Sequence, residues 1–142
     1  MSRFLTLFLL IFPALAHAQE VTGKWKTIDD ETGEPRSIVE IYEKNGKVFG
    51  KVVKLLLPTG DDPDPSCIEC DPDDDRYQKK VIGMEIMRDM VKADDGSYDD
   101  GNILDPKNGR VYRCKIWLEN NDLKLRGYWG PFYRTQTWLR AQ

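Results

Sequence analysis

The sequence predicts an all-β domain whose eight antiparallel strands form an up-and-down barrel with one long acidic loop. Apolar and polar residues alternate over strand-length runs, short turns join nearly all of these runs, and no segment has a convincing long helical pattern. Short turns make neighbours in sequence neighbours in the sheet, and eight strands suffice to close it without free edges. The interior of such a barrel is filled by side chains or holds one small ligand.

The first 18 residues are predicted to be a signal peptide rather than part of the barrel. Arg3 precedes an apolar run over residues 4–12, and Ala16-His17-Ala18 has the small-x-small pattern that precedes cleavage. The run is too short to span a bilayer. We therefore expect cleavage after Ala18, a single barrel domain over residues 19–142, and a periplasmic or secreted protein that does not span a membrane.

The first three strands are predicted over residues 21–28, 36–44 and 47–56. Turn-forming residues 29–33 end the first strand, and Asn45-Gly46, a two-residue primed turn, joins the second to the third. The third strand is apolar on both faces, with Phe49 on one and Val52 on the other. An apolar outer face indicates that another element or a second subunit covers it, so a homodimer is one expectation.

Residues 58–80 are predicted to be an irregular surface loop. This segment contains four prolines, and from Asp61 to Asp75 it has eight acidic residues and neither Lys nor Arg. Residues 81–91 follow and are ambiguous, because their apolar positions fit both alternation and a helical stripe. We expect a strand that runs into a helical turn.

The last four strands are predicted over residues 98–104, 111–118, 123–129 and 134–140. The second of these has the clearest pattern, since Tyr112, Cys114 and Ile116 alternate with Arg113 and Lys115. Polar or Gly-containing turns separate all four runs. One face of this sheet is therefore expected to be core.

Charge and histidine content exclude several classes of function. The net charge of −3 becomes −4 when the signal peptide takes Arg3 away, and this mild acidity argues against a nucleic acid or an anionic membrane as partner. Cleavage also removes His17, the only histidine in the sequence. Ser-His and Cys-His nucleophiles and histidine-ligated metals are thereby excluded, and catalysis would have to rest on carboxylates, thiols, Lys or Tyr. We expect no enzyme, metal or cofactor, and an enzyme that uses thiols or carboxylates is the least favoured alternative.

Gly23-x-Trp25 on the first strand resembles the signature of the lipocalin and fatty-acid-binding superfamily of barrels. In that superfamily the tryptophan closes the barrel base beneath an arginine from the last strand. The resemblance implies barrel closure by Gly23, Trp25 and Arg134, with Arg140 as the second choice for the arginine, and a cation–π contact as its basis.

A wider resemblance extends over nearly the whole chain after the signal peptide. It rests on these motifs: Gly23-x-Trp25, Cys67-x-x-Cys70, Ile82-Gly83-Met84, Gly101-x-Ile103-x-Asp105-Pro106-x-Asn108-Gly109-x-x-Tyr112, Leu125-Arg126-Gly127-Tyr128 and Arg134-Thr135-Gln136-Thr137-Trp138. Together they are similar to an exported bacterial family, domain of unknown function 2147. The resemblance implies a lipocalin-like (calycin-like) barrel in the cell envelope and no established activity. Residues 130–133 depart from it, because the family usually has a longer turn there.

The cysteines are predicted to form one disulfide, between Cys67 and Cys70. An oxidising compartment favours a structural bridge. Surrounding aspartates raise a thiol pKa, which disfavours a redox site. Cys114 lies on the apolar face of its strand, where a free cysteine packs as a small hydrophobic residue. A bridge from the loop to Cys114, and a zinc site formed by all three cysteines, are the alternatives.

The acidic loop also has partial calcium-site spacing. Asp71, Asp73 and Asp75 match the first three ligand positions of an EF-hand, but Arg76 stands where Gly is required and Ile82 where the bidentate Glu belongs. A solvated acidic surface is the favoured interpretation. A weak surface calcium site is the alternative.

The predicted function is the binding of a small apolar or amphipathic molecule inside the barrel. Trp25 would form the floor, Tyr112 and Trp129 the walls, and Arg126 or Arg134 would pair with an anionic head group. The alternative is a cell-envelope interaction or structural protein with a packed interior. Its binding surface would be the acidic loop 61–75 or the outer face of the third strand.

Overall fold

The structure, a computed structural model, describes residues 20–142, so the predicted signal peptide lies outside the described residues. It contains eight strands: β1 Gly23–Ile28, β2 Pro35–Lys44, β3 Lys47–Leu55, β4 Glu85–Lys92, β5 Tyr98–Asp105, β6 Arg110–Glu119, β7 Asp122–Trp129 and β8 Phe132–Arg140. Within residues 20–142 there is no helix, and hence none that could cross a membrane. The predicted all-β class is confirmed.

The eight strands close into one antiparallel barrel in sequence order. β8 returns to β1, where Trp25 lies opposite Arg140 and Lys26 opposite Leu139. The β1–β2, β3–β4, β5–β6 and β7–β8 connections lie at one end, which we call the open end. The chain segment 20–22 and the end of β8 lie at the other, which we call the closed end. The predicted up-and-down topology is therefore confirmed.

β4 contains a bulge that accounts for its ambiguous sequence pattern. Met87 pairs with Gly50 and Met90 with Val48, so three steps along β4 match two along β3. Asp89 lies between them with a positive φ of 61°. Both methionines are consequently fully buried, and their spacing imitates a helical stripe. The helical turn expected in this segment is wrong, because the chain continues as strand β4 on both sides of the bulge.

The loop between β3 and β4, residues 56–84, is folded onto the barrel rather than suspended in solvent. Its acidic side chains are mostly exposed, but Cys67 and Cys70 are buried and belong to the hydrophobic core. The predicted Cys67–Cys70 disulfide is present, and Ser66 pairs with Lys80 across the base of the loop. Arg76 is also buried, with 6 % of its surface exposed.

The β5–β6 turn fits closely beneath this loop at Gly109. Its φ is +73°, and a Cβ at this position would lie 1.7 Å from the carbonyl oxygen of Glu69. Only glycine satisfies both the conformation and the contact. The sulfur of Cys67 also lies 3.8 Å from the carbonyl oxygen of Pro106. The turn and the loop therefore form one packed unit beside the open end.

The apolar outer face of β3 is covered within the chain. Phe49 is only 8 % exposed, its ring stacks on Tyr42 with centroids 6.1 Å apart, and the Lys44 ammonium lies 4.2 Å from its centre. Tyr42 in turn donates a hydrogen bond to Glu85. Burial and this carboxylate raise the pKa of Tyr42 to about 12. The pattern that favoured a homodimer is thus explained by contacts within one chain.

Candidate functional site

The barrel interior is packed in its closed half and hollow in its open half. Trp25, Ile41, Met87, Ile116 and Leu123 are fully buried in the closed half. A cavity of about 950 Å³ lies at the open end, within the range of pockets for small molecules. Six apolar residues from five segments line its deeper part: Val52, Leu55, Val81, Ile103, Leu125 and Trp138. The packed interior expected for an interaction or structural protein is therefore found only in the closed half of the barrel.

β8 contributes a column of side chains that becomes more polar toward the mouth, the outer part of the cavity. Trp138 is buried, and its indole N–H donates to Gln136 Oε1 at 3.1 Å. Gln136 Nε2 donates to Asp30 Oδ2 at 3.2 Å, and Arg134 lies 3.8 Å from the same oxygen. Every second residue of β8 faces inward, so this column follows directly from strand alternation.

The adjoining wall of the mouth, formed by β6 and β7, is aromatic. Tyr112 and Trp129 meet edge to face, with ring centroids 6.2 Å apart. The Arg110 guanidinium lies 4.1 Å from the centre of the Trp129 ring, and Asn108 Nδ2 donates to the Tyr112 hydroxyl at 3.1 Å. Tyr112 and Trp129 thus lie where the predicted walls would be. They present an apolar body with a polar edge, which suits an amphipathic molecule.

The charges at the mouth are unequally paired. Asp29 forms an ion pair with Arg36 at 3.1 Å, and backbone N–H groups of Thr32 and Glu31 donate to the same carboxylate. These bonds, first that from Thr32, lower the pKa of Asp29. Arg110 forms no ion pair with any described carboxylate. The mouth therefore offers at least one cation that is not neutralised by a neighbour.

Arg110 and Gln136 were not among the predicted site residues, although strand alternation could have found both. Arg110 lies two residues before Tyr112, and Gln136 two residues before Trp138, on the same inward faces. Arg110 lies just before the range predicted for this strand, 111–118, and Gln136 is a neutral amide between an arginine and a tryptophan on β8.

The closed end is organised around Trp25, whose side chain is fully buried. Its indole N–H donates to the Val21 carbonyl oxygen at 2.7 Å, and the Arg140 guanidinium lies 4.0 Å from its ring centre. Arg140 also donates to the carbonyl oxygens of Thr22 and Glu20, at 3.2 and 3.0 Å. Arg140 thus joins Trp25 to the segment before β1.

Three predicted roles need correction. The arginine over Trp25 is Arg140 rather than Arg134, because Arg134 lies at the open end of β8 with 71 % of its side chain exposed. Trp25 is not part of the cavity lining, so Trp138 provides the deep aromatic surface instead. Gly23 does lie at the closure. Its φ is +120°, and a Cβ at this position would lie 3.3 Å from Nη1 of Arg140.

The third correction concerns Arg126, which lies on the outer face of the barrel. Leu125 faces inward and is buried, so its neighbour Arg126 faces outward. Its guanidinium stacks over Trp117 and Tyr133, and it donates to the Thr135 hydroxyl at 2.9 Å. Arg126 therefore cannot pair with a head group inside the mouth.

Cys67 and Cys70 are bonded to each other, and two of the three aspartates with EF-hand spacing accept hydrogen bonds from protein groups. Asp75 accepts two hydrogen bonds from Arg88, at 2.8 and 3.0 Å, and Asp71 accepts one from the backbone of Asp73. Among the described residues no group of three or more metal-ligating side chains converges. The EF-hand spacing thus corresponds to turn and ion-pair contacts.

Cys114 is the free cysteine of the described chain and is buried. Burial raises the pKa of its thiol to about 12. We predict that the folded protein, without reductant, does not react with a chromogenic disulfide reagent, and that one thiol per chain reacts in denaturant, because only the thiolate is nucleophilic. A fast-reacting thiol in the folded protein would contradict the buried position or the Cys67–Cys70 pairing.

Comparison with known proteins is consistent with this architecture. The family model described as "Uncharacterized protein conserved in bacteria (DUF2147)" matches residues 23–140. A solved structure titled "Protein HP1028 from the human pathogen Helicobacter pylori belongs to the lipocalin family" is similar, with a TM-score of 0.74 and 22 % identity. The similarity covers 88 % of this chain and 85 % of that one. The search of curated proteins returns no match.

Proposed function

The chain belongs to the DUF2147 family of uncharacterised bacterial proteins, and from its geometry we propose that it binds a small apolar or amphipathic molecule in the open half of its barrel. The observation that carries the proposal is the cavity of about 950 Å³ with an apolar floor and a polar mouth. Lipocalin-like barrels have room for one such ligand. An apolar part would lie against Leu125 and Trp138, and a polar part would lie at the mouth.

The polar mouth favours an anionic group on the ligand. Arg110 is not neutralised by a carboxylate, and Arg134 is 71 % exposed with its nearest carboxylate oxygen 3.8 Å away. Trp129 and Tyr112 beside Arg110 offer flat apolar surfaces next to that charge. Arg110 and Arg134 would therefore take the role predicted for Arg126 or Arg134.

The proposal is one of binding rather than catalysis, in an exported protein. The sequence after residue 18 has no histidine, Cys67 and Cys70 are bonded to each other, and the Cys114 thiol is buried. The signal-peptide pattern of residues 1–18 and the disulfide both favour the periplasm or the exterior. Carriage or storage of a small molecule in that compartment fits these features.

Filling the cavity should abolish binding without unfolding the barrel. Gly127 faces the cavity, and a Cβ there would meet Tyr112 at an ordinary contact distance of 3.5 Å. Gly127→Trp would therefore place its indole in the cavity. With 8-anilinonaphthalene-1-sulfonate, an amphipathic anion, as the probe, we expect a fluorescence increase with the unsubstituted protein and at least about tenfold weaker binding by the variant, the equivalent of about 1.4 kcal/mol.

The matched control adds the same indole to the outer surface. Val111 is 50 % exposed on the outer face of β6, so Val111→Trp should leave the probe affinity unchanged. Circular dichroism and the thermal midpoint would establish that both variants are folded. Equal probe affinity in the Gly127→Trp variant and the unsubstituted protein would place the probe outside the barrel and refute the proposed site.

A further inference from the structure

Large aromatic side chains are exposed together at the turn between β7 and β8. Trp129 is 57 % exposed, Phe132 77 % and Tyr133 64 %. They surround the two-residue turn Gly130-Pro131, beside the mouth of the cavity. Single exposed apolar residues are ordinary, but three exposed aromatic residues at one turn indicate an interaction surface.

Arginines stack on these rings and on a neighbouring one. Arg110 lies 4.1 Å from the Trp129 ring centre, and Arg126 lies 4.6 Å from that of Tyr133. On the adjacent strand Arg113 lies 5.4 Å from the ring centre of Tyr128. We call Arg110, Arg113, Arg126, Trp129, Phe132 and Tyr133 the basic aromatic surface.

The cations of this surface are not balanced by local acids. None of its three arginines forms an ion pair within the described chain. Residues 110–142 contain seven basic residues (Lys and Arg) and two acidic ones (Asp and Glu), a net charge of +5. Residues 20–109 contain 13 basic and 22 acidic residues, a net charge of −9. The mild acidity of the whole chain is therefore the sum of a basic part and a strongly acidic part.

We propose that the basic aromatic surface docks onto an anionic lipid bilayer, with the tip of the β7–β8 hairpin in the interfacial region. Tryptophan and tyrosine rings favour the headgroup level, and arginines near an anionic surface gain from its negative potential. Asp29, Asp30, Glu31 and the acidic loop also lie at the open end, so an anionic surface repels them and favours contact through β6–β8 rather than through the whole open end. A charge imbalance over three whole strands suits an extended charged plane.

This orientation brings the β7–β8 side of the mouth to the membrane. Trp129, Phe132 and Arg134 line the cavity, so the membrane-facing hairpin is also one wall of the mouth. An amphipathic molecule could then pass between bilayer and barrel without crossing bulk water. The docking itself does not depend on a ligand, so it stands or falls separately from the proposed function.

Co-flotation with lipid vesicles tests the docking directly. We expect the protein, cleaved after Ala18, to float with vesicles of phosphatidylethanolamine and phosphatidylglycerol at low ionic strength and not with vesicles of phosphatidylcholine alone. Binding should be lost at about 1 M salt, where the screening length is about 3 Å. Absence of the protein from the anionic vesicles at low ionic strength would overturn the proposal and leave the surface to a protein partner.

Matched substitutions assign the binding to this surface. Arg113→Gln should weaken partitioning about fivefold, from a contribution of about 1 kcal/mol per basic residue. Lys47→Gln removes an exposed cation at the closed end and should have no effect. The pair Phe132→Ser with Tyr133→Ser should lower partitioning further, whereas Ile68→Ser, at a residue 69 % exposed in the acidic loop, should not. Equal effects within either comparison would overturn the assignment.

Discussion

Replacing Trp25 with alanine is expected to lower the free energy of unfolding by about 3–5 kcal/mol, the range for truncating a buried tryptophan. The ring is fully buried, and its removal leaves a cavity in the packed half of the barrel. The substitution also removes the hydrogen bond to Val21 and the stacking partner of Arg140. Unfolding in urea, followed by circular dichroism, gives the change.

Two comparisons separate the role of Trp25 from general effects of substitution. Trp129→Ala makes the same change at a residue 57 % exposed, and we expect a loss below about 1 kcal/mol. Arg140→Met should cost about 1–2 kcal/mol through the cation–π contact, whereas Arg134→Met should be nearly neutral. An unchanged midpoint for Trp25→Ala, or equal losses for the two arginine variants, would contradict the closure described above.

The choice between Arg134 and Arg140 illustrates what a motif alone leaves undetermined. Both arginines lie on β8, on the same inward face and with the same charge, but they are six residues apart. Strand rise makes that about 20 Å, which is most of the height of the barrel. Only the register of β8 against β1, with Arg140 opposite Trp25, decides which arginine reaches the indole. Sequence patterns therefore indicate which face of a strand a residue occupies more readily than its position along the barrel axis.

The strands themselves were predictable because each inward face repeats every second residue and each turn has its own residue signal. Alternation should also have excluded Arg126 from the interior, since Leu125 beside it is clearly a core residue. β4 could not be assigned in the same way, because the bulge at Asp89 shifts the inward positions. A bulge adds a residue without leaving a distinct pattern in a single sequence.

The cavity was not predictable, because its volume depends on how side chains of similar size are arranged. The large side chains of Met87, Met90 and Trp25 fill the closed half, whereas Gly127 of β7, which has no side chain, lines the cavity in the open half. Net charge misled in a similar way, since −9 and +5 in two parts of the chain sum to a small number. In both cases the relevant quantity, cavity volume or net charge, is local and depends on where the fold places each residue.

Arg76→Met is expected to lower stability by about 3–5 kcal/mol, the cost of breaking a buried ion pair by removing one partner. The Arg76 guanidinium donates to the Asp74 carboxylate at 2.9 and 2.8 Å and to the Glu85 carbonyl oxygen at 3.0 Å. Arg76 and Asp74 have 7 % and 14 % of their side chains exposed. The variant leaves both acceptors without this donor.

The loss should be concentrated in the loop 56–84 and should change the mouth. Amide hydrogen exchange reports it at Cys67 and Gln78, whose N–H groups bond to the carbonyl oxygens of Lys79 and Cys67. We expect these amides to lose protection while those of β6 and β7 keep it. Pro65, Ser66 and Val81 of this loop line the cavity, so its release would open one side of the binding site.

Acid provides an independent test of the same pair. The hydrogen bonds from Arg76 lower the pKa of Asp74, so its folded-state pKa lies below the unfolded one. The stabilisation is therefore fully present above about pH 4 and is lost as the pH falls through the folded-state pKa. The unsubstituted protein should lose loop protection in acid, and the Arg76→Met variant should lack that pH-dependent step.

Arg88 supplies the control, because it pairs with Asp75, a carboxylate that is 71 % exposed, and with Glu85, which also accepts hydrogen bonds from Tyr42 and Lys44. Arg88→Met leaves Asp75 in solvent and Glu85 with two other donors, so it should cost clearly less than Arg76→Met. Replacing both members of the buried pair, with Asp74→Leu and Arg76→Met, should recover part of the loss, since no unpaired charge then remains. Equal losses in the Arg76 and Arg88 variants, or no recovery in the double variant, would show that burial of Arg76 does not hold the loop on the barrel.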